Sequence, residues 1–225
     1  MILMLITDRG RLAPGAAFDA ALACLVRQAR AAAEAGVDLI QVRERDLDGR
    51  RLAAVVRAVL QAVGGSRTRV VVNERVDVAL ATGAHGVHLR AASLDASSAR
   101  VLVPRPLLIG RSVHDALGAR TAGDVDYLVA GTVAGTPSKP VGHPLIGMDG
   151  LKTIVSATHV PVLAVGGIGP ADVPAVASTG SSGIAAIGAW MADAGDCRAT
   201  SLLERVDAFR RPGDAANMRG QLPTH

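Results

Sequence analysis

The segment VVVNERVDVALATGAHGVHL, residues 70–89, contains a complete strand–helix–strand unit. Two short apolar runs, 70–73 and 86–89, flank an amphipathic stretch that ends at Gly83. Glycine accepts the left-handed conformation in which helices often end. Strands that are joined through a helix run parallel. The segment therefore predicts two neighbouring parallel strands with a helix packed across them.

The same unit recurs along the whole chain. Apolar runs that predict strands occupy residues 4–7, 37–43, 70–73, 86–89, 107–113, 127–133, 161–167 and 183–189. Amphipathic stretches that predict helices occupy residues 16–35, 48–63, 75–82, 93–102, 115–122, 148–157, 170–179 and 199–209. Eight strands, each followed by a helix, are typical of an α/β protein with a single (β/α)8 TIM barrel. A doubly wound open sheet is the alternative.

The composition agrees with one large core. The chain has 225 residues, of which 49% are hydrophobic, 20% charged and only 2% aromatic, which suits parallel strands under alanine-rich helices. Two smaller domains would also fit this length. We expect one barrel domain over residues 1–211. The last residues, 212–225, lack apolar periodicity and predict a mobile C-terminal tail.

Charge, cysteine content and hydropathy narrow the functional classes. The net charge of +4 comes from arginines scattered over the chain, and few aromatics are present to stack on bases, so we expect no nucleic-acid partner. Cys24 and Cys197 have no metal or redox spacing. No secretion signal or apolar run of spanning length is visible. The sequence predicts a cytoplasmic protein that does not bind membranes.

Polar residues cluster at the carboxyl ends of the predicted strands, where the loops of a parallel barrel surround one pocket. Side-chain alternation puts Gln41, Arg43 and Arg45 on the same face of one strand end, and we expect that face to line the pocket. The predicted substrate-binding residues are Gln41, Arg43, Arg45, Asn73, His88, Ser112, Thr136, Ser138 and Lys139. For His88, a structural role inside the apolar strand is the alternative.

Two glycine turns predict a phosphate site. The turns AVGGIGP and AIGAW follow the last two strands, where phosphate sites are frequent in this fold. The phosphate would be held by backbone N–H groups at Gly166, Gly167, Ile187 and Gly188. The alternative is that these glycines only close tight bends.

His114 is the candidate for proton transfer, because imidazole titrates near neutral pH. A histidine that only bonds to the backbone at a helix start is the alternative. His85, His143 and His159 lie in predicted turns, where a surface position is expected. No spacing of histidine, cysteine and carboxylates indicates a transition-metal site.

Together these motifs resemble one family. The series LITDR, GVDLIQVRER, VNERVDVALATGAHGVHL, IGRSVH, DYLVAGTVAGTPSKP, PLIGMDGL, PVLAVGGI and GIAAIGA is similar to the thiamine phosphate synthase and thiazole tautomerase superfamily over residues 3–191. The resemblance implies a barrel enzyme that acts on thiazole phosphate. In the synthase branch it also implies a pyrimidine diphosphate and Mg2+, with the pyrimidine methylene carbon joined to the thiazole nitrogen as pyrophosphate leaves.

The chain departs from the synthase pattern at five positions, two of which are Arg90 and Ala91, where the pattern has glycine and glutamine. Arg45 stands where the synthase has lysine, and Glu74 and Ser93 stand where it has its two magnesium aspartates. Asp95 lies two residues beyond the second of these. Lys139 matches the lysine that contacts pyrophosphate. Only Glu74 remains as a metal-ligand candidate.

These departures favour the tautomerase branch. The expectation is a thiazole tautomerase-like isomerase that moves a proton on a thiazole carboxylate phosphate, with His114 as acid and base and with no cofactor. The alternative is a thiamine phosphate synthase, a transferase that uses Mg2+. A third possibility is a non-catalytic protein that binds thiazole or thiamine phosphate. The alanine-rich outer helices permit a homo-oligomer.

Overall fold

The computed structural model describes residues 1–136, 140, 142–191, 199–218 and 220–223, with only the backbone given for 199–201. Eight short parallel strands lie at its centre. They are β1 Ile2–Ile6, β2 Leu39–Val42, β3 Arg69–Asn73, β4 Gly86–Leu89, β5 Leu108–Val113, β6 Tyr127–Gly131, β7 Val162–Val165 and β8 Gly183–Ala186.

The strands form a closed barrel in chain order, because β8 pairs with β1 as well as with β7. The closing register places Ile2 beside Gly183 and Leu5 beside Ala186. This closure confirms the predicted (β/α)8 barrel and rules out the open sheet. All strands point the same way, so their carboxyl ends meet around one mouth.

The helices surround the barrel. They are α1 Arg9–Leu12, α2 Phe18–Glu34, α3 Gly49–Ala62, α4 Val76–Thr82, α5 Ala96–Leu102, α6 Ala116–Arg120, α7 Gly147–Ser156, α8 Val173–Ser178 and α9 Ala199–Ala215, with 3-10 turns at Pro170–Asp172 and Gly188–Trp190. Aspartates cap several of them, as Asp48 does by accepting from Arg51 N at 2.8 Å. None of the described helices is long and apolar enough to cross a membrane.

The apolar core has two layers. Between strands and helices lie valine, leucine and alanine side chains, as the composition predicts. Inside the barrel a second cluster contains Met4, Leu39, Val71 and Leu163 around the ring of Tyr127. Gly110 makes room for that ring, because a β-carbon at this position would overlap it. These side chains fill the barrel interior below the carboxyl ends of the strands.

The C-terminal segment packs against the barrel in this structure. Helix α9 runs through Pro212 to Ala215, and beyond it Met218 and Leu222 are buried. Arg69 donates a hydrogen bond to the Pro223 carbonyl at 2.9 Å. The mobility expected for residues 212–225 remains a prediction.

Candidate active site

A cavity of about 1010 Å3 opens at the carboxyl ends of the strands. Its size is at the upper end of the range for small-molecule sites. Its wall includes the predicted residues Gln41, Arg43, Arg45, Asn73, His88, Ser112, His114, Thr136, Gly166, Gly167, Ile187 and Gly188. Ser138 and Lys139 lie outside the described residues.

The ends of β2 and β3 form one wall of this cavity. Gln41 donates from Nε2 to Asn73 Oδ1 at 2.9 Å, so the two amides hold each other across neighbouring strands. Glu44 faces away, because its carboxylate accepts from the Thr7 hydroxyl at 2.6 Å and from Arg9. That leaves Arg43 and Arg45 on the cavity side, as strand alternation predicts.

Arg43 and Arg45 form a wall of the cavity in which neither guanidinium is in an ion pair with a residue of the described chain. Within the described residues, neither guanidinium donates a hydrogen bond to a carboxylate. Burial lowers the pKa of Arg43, and the neighbouring charge of Arg45 lowers it further, while Asp8 and Glu44 act in the opposite direction. A half-buried cation in this state is stabilised by any anion that enters the cavity.

His88 belongs to a buried network at the cavity floor. Its Nε2 lies 2.9 Å from Ser112 Oγ, and its Nδ1 lies 3.3 Å from the Tyr127 hydroxyl. Burial lowers the pKa of His88 to about 4 and raises the pKa of Tyr127. His88 is therefore a neutral imidazole near pH 7 and orients Ser112 by hydrogen bonding.

His114 lies at the rim, just before the Asp115 cap of α6. Its Nδ1 is 2.5 Å from the carbonyl oxygen of Gly131, and because a carbonyl only accepts, Nδ1 carries the proton. In the neutral ring Nε2 is then the acceptor. This histidine therefore bonds to the backbone, as the alternative interpretation predicts, and it also lines the cavity. Its part in proton transfer stays a prediction.

The glycines at the ends of β7 and β8 differ in what they require. Gly167 has φ of 63°, and a β-carbon there would overlap the carbonyls of Ala134 and Gly135. At Gly188 a β-carbon would meet only Arg11 Nη2, at 3.4 Å. The tight bend after β7 therefore explains why residue 167 is glycine. At residue 188 the missing side chain leaves open space that a ligand can occupy.

Three further arginines in the wall were not among the predicted binding residues. Arg11 follows β1, Arg90 follows β4, and Arg205 projects from α9. The position of Arg90 at a strand end was a usable signal. Arg205 carries no such signal, since it lies on α9 in the outer helix layer. It reaches the cavity because α9 packs against the 3-10 turns that follow β7 and β8. In the described part of the chain this wall has five arginines and no carboxylate.

The residues at the implied magnesium positions do not fit that ion. Glu74 accepts at Oε1 from Arg90 N and at Oε2 from Arg90 Nε, both at 2.7 Å. Although burial acts to raise the pKa of its carboxyl group, these bonds lower that pKa below its usual value. Asp95 caps α5 by accepting from Ser97 N and Ser98 N. Mg2+ is usually bound through one or two free carboxylates together with phosphate oxygens and waters, in octahedral geometry. Glu74 is the only carboxylate at these two positions, and both of its oxygens already accept from Arg90.

The fold and the cavity define a (β/α)8 barrel with an arginine-rich ligand site at the carboxyl ends of its strands. Residues 3–190 match the model of the family described as "Thiamine monophosphate synthase". The chain belongs to this family, which confirms the resemblance seen in the sequence.

Individual relatives agree with this membership. The thiamine-phosphate synthase of Methanoculleus marisnigri is 39% identical over 189 residues, which cover 82% of this chain and 89% of that protein. That of Agrobacterium fabrum is 37% identical over 202 residues, covering 87% and 89%. A solved structure of thiamine phosphate pyrophosphorylase from Pyrococcus furiosus superposes with a TM-score of 0.77 at 32% identity, covering 96% of both chains.

These relatives correct the functional prediction. The expected main activity, a thiazole tautomerase-like isomerase, is wrong, because relatives of 35–40% identity are named thiamine-phosphate synthases, which are transferases. The error came from giving two changed acidic positions, Glu74 and Ser93, more weight than the similarity of the whole barrel. The alternative stated from the sequence, the synthase, fits the relatives better.

Proposed function

We propose that this protein is a thiamine-phosphate synthase, a transferase that couples a pyrimidine diphosphate to thiazole phosphate. The proposal rests on the similarity to the thiamine-phosphate synthase of Methanoculleus marisnigri, which is 39% identical to this chain over most of both chains. In the reaction, the bond between the pyrimidine methylene carbon and the diphosphate oxygen breaks. Pyrophosphate leaves with the electron pair, and the methylene carbon bonds to the thiazole nitrogen.

The shape of the cavity supports two phosphorylated substrates. Its volume of about 1010 Å3 exceeds what one small ring with one phosphate fills. Gly188 and Arg11 lie together at the end of β8. Arg43 and Arg45 follow β2, and β1 lies between these two strands in the barrel. We assign the thiazole monophosphate to the first group and the diphosphate to the second.

Neutral side chains between these groups would orient the rings. Gln41 and Asn73 have amide groups that remain available for the pyrimidine, and Ser112 is held by His88. His114 presents an unprotonated Nε2 in its neutral form, which can accept a hydrogen bond from a substrate amine. Thr136 lines the same cavity. The roles of Ser138 and Lys139 stay predictions from the sequence.

The test is direct synthesis. Purified protein is incubated with pyrimidine diphosphate and thiazole phosphate, once with Mg2+ and once with excess EDTA, and thiamine phosphate is measured by chromatography after oxidation to its fluorescent thiochrome. Product above the heat-inactivated control in either condition supports the proposal. No product in both conditions, from protein shown to be folded by circular dichroism, would overturn it.

The remaining expectations follow from this function. A biosynthetic transferase of this type works on small phosphorylated molecules, and a cytoplasmic location stays part of the proposal. A homo-oligomer also stays a prediction, and sedimentation of the purified chain measures it directly.

A further inference from the structure

The starting observation is a disagreement between the family and the site. The synthase branch implies Mg2+ beside the diphosphate, yet Glu74, at the first metal position, is bound by an arginine, and Ser93, at the second, has no charge. The Arg90 guanidinium lies 2.7 Å from Glu74 Oε2. A carboxylate held in this way by an arginine is not free to bind a cation.

Arg90 occupies the space in front of the carboxylate. It contacts Glu74 through its backbone N, its Nε and its Nη2, and within the described residues its Nη1 group makes no hydrogen bond. Glu74 is mostly buried, with 19% of its side chain exposed, whereas 59% of the Arg90 side chain is exposed. A positive group is thus fixed by Glu74 with one edge open to the cavity.

Two more guanidinium groups lie on the same wall without a carboxylate partner in the described chain. Arg43 and Arg45 line the cavity with Arg90, and Gln41 lies between them and Asn73. Guanidinium groups match phosphate oxygens in bidentate geometry and keep their charge at all working pH values. Arginines in this position supply positive charge to a diphosphate without any metal.

We propose that this chain binds the diphosphate through Arg43, Arg45 and Arg90 instead of through Mg2+, with Glu74 serving to hold Arg90 in place. The inference rests on the proposed function, because the diphosphate belongs to its second substrate. In this proposal Glu74 is a positioning residue for Arg90. Arg45, which stands where the synthase has lysine, is one of the arginines that supply positive charge in place of the metal.

The first experiment measures binding of inorganic pyrophosphate by calorimetry in excess EDTA and in Mg2+. We expect the wild-type dissociation constant to agree within about threefold between the two conditions. R43Q and R45Q should each weaken binding in EDTA by about tenfold. The matched control is R67Q, which removes an exposed arginine before β3, at the opposite end of the barrel. It should bind as wild type does.

The second experiment rebuilds a cation site. In R90G/S93D the carboxylate of Glu74 is released and a second acid stands beside it. We expect Mn2+ binding, followed by electron paramagnetic resonance, to be present in this variant and not detectable in wild type. Pyrophosphate binding by the variant should become weak in EDTA and recover in Mg2+.

Two binding results would overturn the inference. One is wild-type pyrophosphate binding that is lost in EDTA. The other is Mn2+ binding by wild type that disappears in E74Q. Failure of the proposed function looks different, since pyrophosphate would then bind without metal while no thiamine phosphate forms. Conversely, product formed strictly with Mg2+ would keep the synthase and reject the arginine site.

Discussion

The Nε2 atom of His88 lies 2.9 Å from Ser112 Oγ, with the imidazole enclosed inside the barrel. Burial lowers the pKa of His88 to about 4. Between about pH 6.5 and pH 4, His88 is therefore protonated in the unfolded chain but neutral in the folded protein. The fold has its full stability above pH 6.5 and loses stability as the pH falls. We expect a loss of about 2 kcal/mol between about pH 7.5 and pH 5.

Urea unfolding at the two pH values measures this loss, and H88Q is the control. Glutamine keeps a hydrogen-bonding group near Ser112 but does not titrate. The pH-dependent loss in H88Q should be smaller than in wild type by about the same 2 kcal/mol. Equal losses in the two proteins would show that His88 is not the group responsible.

Gly110 should be essential for packing inside the barrel. A β-carbon there would overlap the buried Tyr127 ring, and overpacking of this kind costs about 3 kcal/mol. We expect G110A to lower the free energy of unfolding by at least this amount in urea titration.

G118A is the matched control, because Gly118 lies within α6 and an added methyl meets only ordinary contacts at 3.4 Å and beyond. It should be neutral or slightly stabilising. Equal stability of G110A and wild type would contradict this account.

The barrel could be predicted because its two periodicities are local. The run at 70–73 and the amphipathic stretch after it lie within one segment, and each later unit repeats them. Alternation along the predicted strand also put Gln41, Arg43 and Arg45 on one wall, and all three line the cavity although Arg43 and Arg45 lie beyond the end of β2. The position of Arg205 in the cavity wall is not determined locally, since it depends on the packing of α9 against the 3-10 turns after β7 and β8. Periodicity within a helix does not show which of its polar residues reaches a distant strand end.

The pairing of Arg90 with Glu74 was also outside the reach of the sequence pattern. Both residues follow predicted strands, and the sequence makes Glu74 a candidate metal ligand. Its backbone has φ of 65°, which turns the residue after β3 in a way that composition and spacing do not reveal. If the proposed arginine site binds the diphosphate, the loss of a neighbouring acid does not mean the loss of diphosphate binding. The changed acids at positions 74 and 93 are then no argument for the tautomerase, which the named synthase relatives contradict.

Arg43 should contribute more to binding than to folding. Its pKa is lowered by burial and then by Arg45, so the empty site carries unfavourable charge that the diphosphate relieves. We expect R43Q to raise the KM for pyrimidine diphosphate by about tenfold or more, with an unchanged or higher Tm. R67Q should change neither value. A fall in Tm together with unchanged KM would mean that Arg43 has a structural role.

Gly188 gives the sharpest test of the phosphate site. The methyl group in G188A would enter the cavity and meet only the mobile end of Arg11, at 3.4 Å, so the fold should tolerate it and Tm should stay within about 2 °C. We expect the KM for thiazole phosphate to rise by about tenfold while pyrophosphate binding is unchanged, because the two ligands use different ends of the cavity.

G167A separates this effect from strain in the bend. Its β-carbon would overlap the carbonyls of Ala134 and Gly135, and φ of 63° disfavours any side chain. G167A should therefore lose stability as well as substrate affinity, whereas G188A should lose affinity alone. If G188A binds thiazole phosphate as tightly as wild type does, the phosphate does not lie against the backbone at the end of β8. The monophosphate would then have to be reassigned to the arginine wall.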